Sequence, residues 1–301
     1  MNSLLQCFYY IKDFRDYFIN EKDNFDKEYQ PVYIALSEVM YGLKYEKNDY
    51  FVPCRFKEIM KKKILYELKD FFFNMLDKLL VELNTNKSFK EESSEEKELD
   101  LFNKLEIFRE HEKELDKNII NDLFAGFYET SYYCQNNKNK ITYSFQSEYF
   151  LLFEIEKIKN YFKTKELSIE LCFSYYLRSQ NKNSFFCNNC KKIEEGNCNE
   201  GIYRPPKILV LILDRGHGKI FDVKIKFNEY LDLENIINEE NYEYSSCYQL
   251  ICALNSKENY SSGIYRACCL TDNNSYYYFS DNNSIMIDIE KLFEDESYIL
   301  F

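Results

Sequence analysis

The spacing of hydrophobic residues changes once along this chain, and that change bounds the folds open to it. Between residues 1 and 18 the apolar positions Leu4, Leu5, Phe8, Ile11, Phe14 and Phe18 fall close to one face of a 3.6-residue repeat. Pro53 is placed to open a second helical stretch through Phe56, Ile59 and Met60. Residues 64–83 read as a long buried helix. From residue 141 the period becomes two: 141–145, 208–213, 223–227, 248–253 and 276–279 alternate as strands do. Helices followed by strands is the α+β pattern. No internal repeat of about 20–50 residues is visible, which excludes solenoids and propellers.

The 301 residues suffice for one large domain or two small ones. Residues 84–98, with Lys87-Ser-Phe-Lys-Glu-Glu-Ser-Ser-Glu-Glu-Lys97, read as a charged surface insertion and not as a site. A net charge of −12 argues against nucleic acid or anionic lipid as the main partner and fits a basic protein partner. No apolar run approaches the roughly 20 residues that a membrane span needs. The residues from Met1 to Phe8 lack the features of a signal peptide, so the 11 cysteines are expected as reduced thiols in an intracellular protein, cytoplasmic or nuclear.

Several short stretches carry a more specific signal. They are Met1-Asn-Ser-Leu-Leu-Gln-Cys7, Asn118-Ile-Ile-Asn-Asp-Leu-Phe-Ala-Gly126, Phe186-Cys-Asn-Asn-Cys190, Tyr203-Arg-Pro-Pro-Lys-Ile-Leu-Val-Leu-Ile-Leu-Asp-Arg215, Lys226-Phe-Asn-Glu-Tyr-Leu-Asp-Leu233, and Ser262-Gly-Ile-Tyr-Arg-Ala267 followed by Tyr276-Tyr-Tyr-Phe-Ser-Asp281. In this order they resemble the catalytic domain of the ubiquitin-specific proteases, papain-like cysteine deubiquitinases. Each is weak alone; together, in family order across nearly the whole chain, they are specific. The resemblance implies an α+β papain-like fold with a helical thumb (residues 1–118), fingers (119–200, with 118–126 as the strand leading into them) and a palm (201–301).

The departures from the family pattern bear on chemistry. The family's Gly-His-Tyr, whose His is the general base, here reads Gly263-Ile264-Tyr265. A hydrocarbon accepts no proton from a thiol, and papain-like catalysis needs an imidazole to ionise the nucleophile and protonate the leaving amine. The third catalytic position is Ser280, uncharged and a weak orienter, and Asp281 matches the adjacent acidic position. The family's nucleophile would stand two residues before Met1, so an active enzyme would require a start further upstream. Cys7 falls in the following helix, where a small buried hydrophobe is expected. His111 and His217, the two histidines of the chain, lie in a charged helix face and a hairpin loop. The family's Gln-Gln-Asp-Ala-x-Glu-Phe box corresponds to Tyr66-Glu-Leu-Lys-Asp-Phe-Phe72, which keeps helical packing and loses polar contacts.

At the finger tip the resemblance implies two Cys-x-x-Cys knuckles around structural zinc. Cys187 and Cys190 form one pair; the other survives as Cys134, with Asn137 where its partner should be, and Cys198 is the candidate fourth ligand. No other cofactor is implied. The leading expectation is a catalytically inactive deubiquitinase-like protein that binds or scaffolds ubiquitin, a ubiquitin-like protein or another protein. One alternative is an active deubiquitinase with its nucleophile upstream of Met1. The other is a structural subunit that no longer binds ubiquitin.

Overall fold

The computed structural model describes residues 1–21, 29–46, 51–60, 68–84, 108, 117–134, 136, 141–164, 166–177, 180–187, 190–216, 223–237, 245–256, 265–280, 283–293 and 297–301. Helices come first: α1 (Asn2–Tyr10), α2 (Lys12–Asn20), α3 (Pro31–Tyr45), α4 (Cys54–Met60), α5 (Leu68–Leu83) and α6 (Ile119–Phe124). Then follow β1 (Gly126–Tyr133), β2 (Ile141–Glu148), β3 (Leu151–Glu154), α7 (Ile155–Phe162), β4 (Leu167–Ser168), α8 (Ile169–Tyr176), β5 (Gln180–Cys187) and β6 (Lys192–Arg204). The remainder is β7 (Leu211–Asp214), β8 (Ile225–Lys226), β9 (Tyr230–Asp232), β10 (Cys247–Gln249), β11 (Cys252–Ser256), β12 (Tyr265–Leu270), β13 (Tyr276–Ser280), β14 (Asn283–Ile287), α9 (Ile289–Leu292) and β15 (Ser297–Leu300).

Seven strands form the central sheet in the order β14-β13-β12-β11-β15-β7-β3, antiparallel except for the parallel pair β3 and β7. Alternation along these strands splits the interior into two cores. Val210, Ile212, Cys252, Leu254, Ala267, Cys269, Ile299 and Phe301 face the layer formed by α1 to α6. Their chain neighbours Leu211, Leu213, Ala253, Cys268 and Leu300 face the other way, toward Ile155 and Ile158 of α7 and Ile169 and Phe173 of α8. A separate antiparallel sheet has the order β2-β1-β6-β5. Residues 119–200 are thus divided between the two sheets, because β3 joins the central one.

Local chemistry sets the boundaries. Residues 118–126, expected as a strand, form α6 and enter β1 only at Gly126. The reason is Asn118, whose side-chain oxygen accepts the Asn121 N–H at 2.9 Å and caps α6. The single strand expected at 248–253 is two. Leu250 N–H bonds to Glu229 O and Ile251 N–H to Phe301 O, so the chain changes partners between β10 and β11. The long helix expected at 64–83 is described from Leu68 onward as α5. Glu82 of that helix accepts the Val32 and Tyr33 N–H groups at 3.0 and 2.7 Å, satisfying the start of α3, which has no cap of its own.

Candidate functional site

Helix α1 is clamped along β11, β12 and β13. Leu4, Leu5, Cys7 and Phe8 form its buried face, at the spacing the sequence implied. At its first turn Ser3 Oγ donates to Tyr265 O at 2.6 Å. At its last turn the Tyr10 ring meets Phe279, with centroids 5.1 Å apart. Between them Phe8 packs against Phe14, Phe72, Phe124 and Phe301. Helix α1 therefore lies against β12, which begins at Tyr265, and against β13, which ends at Ser280. Tyr265, beside Ile264, is the residue that Ser3 touches.

Ile264, Asp281, His111 and His217 lie outside the described residues, as do Tyr66 and Glu67 of the altered helical box. Ser280 closes β13 opposite Asn283. Cys7 is completely buried, as expected of a packing residue. From the helical box, Leu68 and Phe72 enter the core, while Lys69 Nζ reaches Asp214 Oδ2 at 2.8 Å and ties α5 to the end of β7. The sequence showed both charges but nothing that paired them across 145 positions. On the other side of the sheet Arg215 donates to Ser297 O and Val223 O, Ser297 Oγ donates to Asn255 Oδ1, and Asn255 Nδ2 donates to the Tyr278 hydroxyl. This chain of bonds, buried except at Tyr278, links β7, β15, β11 and β13. A cavity of about 470 Å³ beside β9 and β10, lined by Pro206, Leu209, Phe227, Tyr248 and Leu250, contains none of the expected site residues.

The second candidate centre is at the far end of the β5–β6 hairpin. Its closing pair is Cys187 and Lys192, the Lys191 N–H bonds to Cys187 O at 2.8 Å, and Lys191 takes a positive φ of 54° to make the turn. Cys134, just past β1, puts its sulfur 3.4 Å from that of Cys190. The thiols of Cys134, Cys187 and Cys190 and a carboxylate oxygen of Glu194 all lie within 4.8 Å of one another. Three of the four expected ligands are thus brought together. Cys198 is not in this group; it stands further along β6, opposite Tyr132 and Gln180. Glu194 completes the group, and its place in the strand, two residues past the hairpin's closing pair, is the signal that a search for cysteines alone passes over.

Asn136 donates to the Cys190 sulfur at 3.2 Å and to Glu194 at 3.3 Å, and Lys192 approaches the same carboxylate at 3.5 Å. The Asn136 amide favours the Cys190 thiolate, but Cys134, partial burial, Glu194 and Cys187 outweigh it and push the thiol up to about 11. A dication among these donors reverses that balance by favouring every anionic form at once. Three sulfurs and a carboxylate are a donor set that fits four-coordinate zinc.

The ubiquitin carboxyl-terminal hydrolase family matches residues 1–301. The chain belongs to that family. Ubiquitin carboxyl-terminal hydrolase 8 of Saccharomyces cerevisiae is 25% identical over 218 residues, covering 67% of this chain and 45% of its own length. Ubiquitin carboxyl-terminal hydrolase 17-like protein B of Mus musculus is 22% identical over 194 residues, covering 62% of this chain and 39% of its own length. The chain therefore spans less than half the length of these relatives. Among solved structures, the Ubp8-Sgf11-Sgf73-Sus1 SAGA DUB module is similar with a TM-score of 0.72 and 18% identity, over 100% of this chain and 64% of that one. The fold is the papain-like one of the ubiquitin-specific proteases, and the chain is a ubiquitin-specific-protease-like protein of the ubiquitin system. Among the described residues no helix is long and apolar enough to cross a membrane.

Proposed function

We propose that this chain is a deubiquitinase-like protein that binds ubiquitin or a ubiquitin-like protein without hydrolysing it. The observation that carries this reading is Ile264 at the family's base position, reinforced by Ser280 at the position of the orienting residue. A sec-butyl side chain cannot lower a thiol's pKa or deliver a proton to a leaving amine, so both halves of the acyl transfer lose their assistance. Cys7 does not substitute as a nucleophile, because it is sealed in the core and a substrate carbonyl cannot reach it. The framework that would hold ubiquitin is supported by α1 resting on β12 and β13 as described above.

We assign the domains as a thumb over residues 1–118, fingers centred on the β2-β1-β6-β5 sheet, and a palm centred on the seven-stranded sheet. The fingers hold structural zinc through Cys134, Cys187, Cys190 and Glu194. Protein partners other than ubiquitin are in keeping with the Ubp8 structure, in which the related chain is assembled with Sgf11, Sgf73 and Sus1. An intracellular location suits a family member rich in thiols.

A second reading, an active enzyme whose nucleophile precedes the present sequence, is favoured by one observation: the Ser3–Tyr265 bond ties α1 to the residue that follows Ile264 in the sequence. Adding the family's Asn-x-x-Asn-Thr-Cys-Tyr before Met1 separates the two. The proposal expects no turnover of a ubiquitin C-terminal fluorogenic amide by this extended chain, and some recovery when Ile264→His and Ser280→Asp are added. Normal turnover by the extended chain without those changes would show that Ile264 is not at the base position.

A further inference from the structure

A second group of thiols lies away from the fingers, in the core between α1 and the central sheet. Cys7, Cys252 and Cys269 are each fully buried, and their sulfurs lie within 4.8 Å of one another. Cys252 and Cys269 face each other directly across β11 and β12. Cys252 directs both backbone groups away from β12, its N–H to Phe301 O and its C=O to Phe301 N–H, while Leu270 N–H bonds to Ile251 O beside the pair. The two cysteines are therefore a non-hydrogen-bonded cross-strand pair, in which α-carbons stand about 4.5 Å apart and side chains come closest. That separation falls inside the range a disulfide spans, about 4.4–6.8 Å. Cys268, the adjacent residue, faces the opposite core.

We propose that Cys252 and Cys269 form a reversible cross-strand disulfide, made by exchange with a low-molecular-weight disulfide and relayed through Cys7. Among competing uses of three thiols, a metal centre is disfavoured here. Zinc wants four donors, and among the described residues only three donor side chains gather here. A disulfide is neutral and adds no buried charge.

The Cys7 thiolate attacks the oxidant RSSR, giving the mixed disulfide Cys7–S–SR and releasing RS⁻. Cys252, losing its proton, attacks the Cys7 sulfur, expels a second RS⁻ and forms Cys7–Cys252. Cys269, losing its proton, then attacks the Cys252 sulfur and expels the Cys7 thiolate. The two protons lost protonate the two RS⁻, so two protein thiols are oxidised, RSSR is reduced to two RSH, and Cys7 is regenerated. Reversal by RSH follows the same path. Burial opposes ionisation of Cys7, but hydrogen bonds from Cys252 and Cys269 more than offset it and bring Cys7 down to about 6, whereas burial pushes its two neighbours well above the ordinary thiol range. Reagent reaches the group only when α1 opens locally from the sheet, so exchange is slower than at the exposed Cys54 and Cys247.

The test uses the purified, fully reduced chain incubated with glutathione disulfide, then alkylated in denaturant, digested and mapped by fragmentation mass spectrometry. The expected result is a Cys252–Cys269 cross-link in most chains, reversed by glutathione. Cys7→Ala is expected to slow its appearance about tenfold without changing the residues joined, since the relaying thiolate is gone. Cys252 and Cys269 alkylated in full, after Cys54 and Cys247 have gone to mixed disulfides, would overturn the proposal. So would a link through Cys268. The same cross-link formed at the parent rate in Cys7→Ala would overturn the relay, and the mapping of the unsubstituted chain decides the disulfide even if that variant fails to fold.

Discussion

The junction of α1 with the central sheet and the tip of the fingers both gather three cysteines, yet their surroundings give those cysteines different work. At the junction, Cys7, Cys252 and Cys269 sit inside a continuous core that runs from α1 to Phe301. At the fingertip, the buried apolar cluster among the described residues is Cys134, Phe185 and Cys187, with Tyr132 and Cys190 packed against it. A region with so little apolar surface to bury cannot hold its shape by burial alone, and it is there that a carboxylate joins the thiols. On this reading the same residue type is a buried, metal-free thiol placed for cross-strand pairing where the core is large, and a ligand where the core is small. Cysteine count alone does not distinguish the two; the neighbouring residues do.

Removing Phe8 tests the large core hardest, because its ring meets four others there. Phe8→Ala is expected to cost about 3–5 kcal/mol in denaturant unfolding. A loss below about 1 kcal/mol would mean that the junction is loosely packed.

The Lys69–Asp214 pair ties the helical layer to the sheet, and its side chains are only 11% and 16% exposed. Lys69→Ala, which leaves Asp214 in place, is expected to cost about 2 kcal/mol by the same measurement. Lys69→Ala together with Asp214→Ala should recover part of that loss. No recovery would show that the pair contributes nothing specific.

Chelation is expected to act on the small region alone. Zinc removal, or Cys187→Ser, should raise amide exchange at least about tenfold in β5 and the first half of β6, while amides of β11 and β12 stay protected. Cys198→Ser should leave bound zinc in place, and Glu194→Ala should weaken it. Loss of zinc in Cys198→Ser with retention in Glu194→Ala would reverse the ligand assignment.

The smallest effect concerns Glu82. Burial raises its pKa, and bonds from Tyr33 and Val32 N–H only partly offset that. A carboxyl whose folded pKa lies above its unfolded value binds its proton more tightly when folded, so its contribution to stability is greatest in acid. That contribution falls as pH rises from the unfolded pKa through the folded one, then stays level. Glu82→Gln should flatten this part of the stability profile. A profile unchanged from the parent would place the titration elsewhere.

Much of this architecture was legible in the sequence, for physical reasons that apply unevenly. The face formed by Leu4, Leu5, Phe8 and Ile11 was readable because helix burial repeats locally, and β2 because the alternation of Ile141-Thr-Tyr-Ser-Phe145 does too. The α6 turn was missed although Asn118 is a good cap, since a helix of one and a half turns leaves almost no periodic signal. The break between β10 and β11 was hidden because Leu250 and Ile251 are as apolar as their neighbours; only the change of hydrogen-bonding partner reveals it. In the fingers, Cys187 and Cys190 could be found by knuckle spacing and Cys134 by the family resemblance, whereas Glu194 reaches the group through the hairpin's register. Lys69 with Asp214, and Cys7 with Cys252 and Cys269, are pairings across the whole chain, and nothing local announces them.

The central claim is a deubiquitinase fold that holds ubiquitin but does not cut it, and one measurement reads both parts. Ubiquitin joined through an isopeptide bond to a small fluorescent lysine peptide is mixed with increasing amounts of the purified chain, and fluorescence polarisation is followed over hours. Binding without hydrolysis predicts a rise in polarisation that saturates with protein and then remains constant. A fall below the starting value, as the labelled peptide is released, would contradict the assignment of Ile264 as a disabled base position. A flat signal at every concentration would contradict ubiquitin binding.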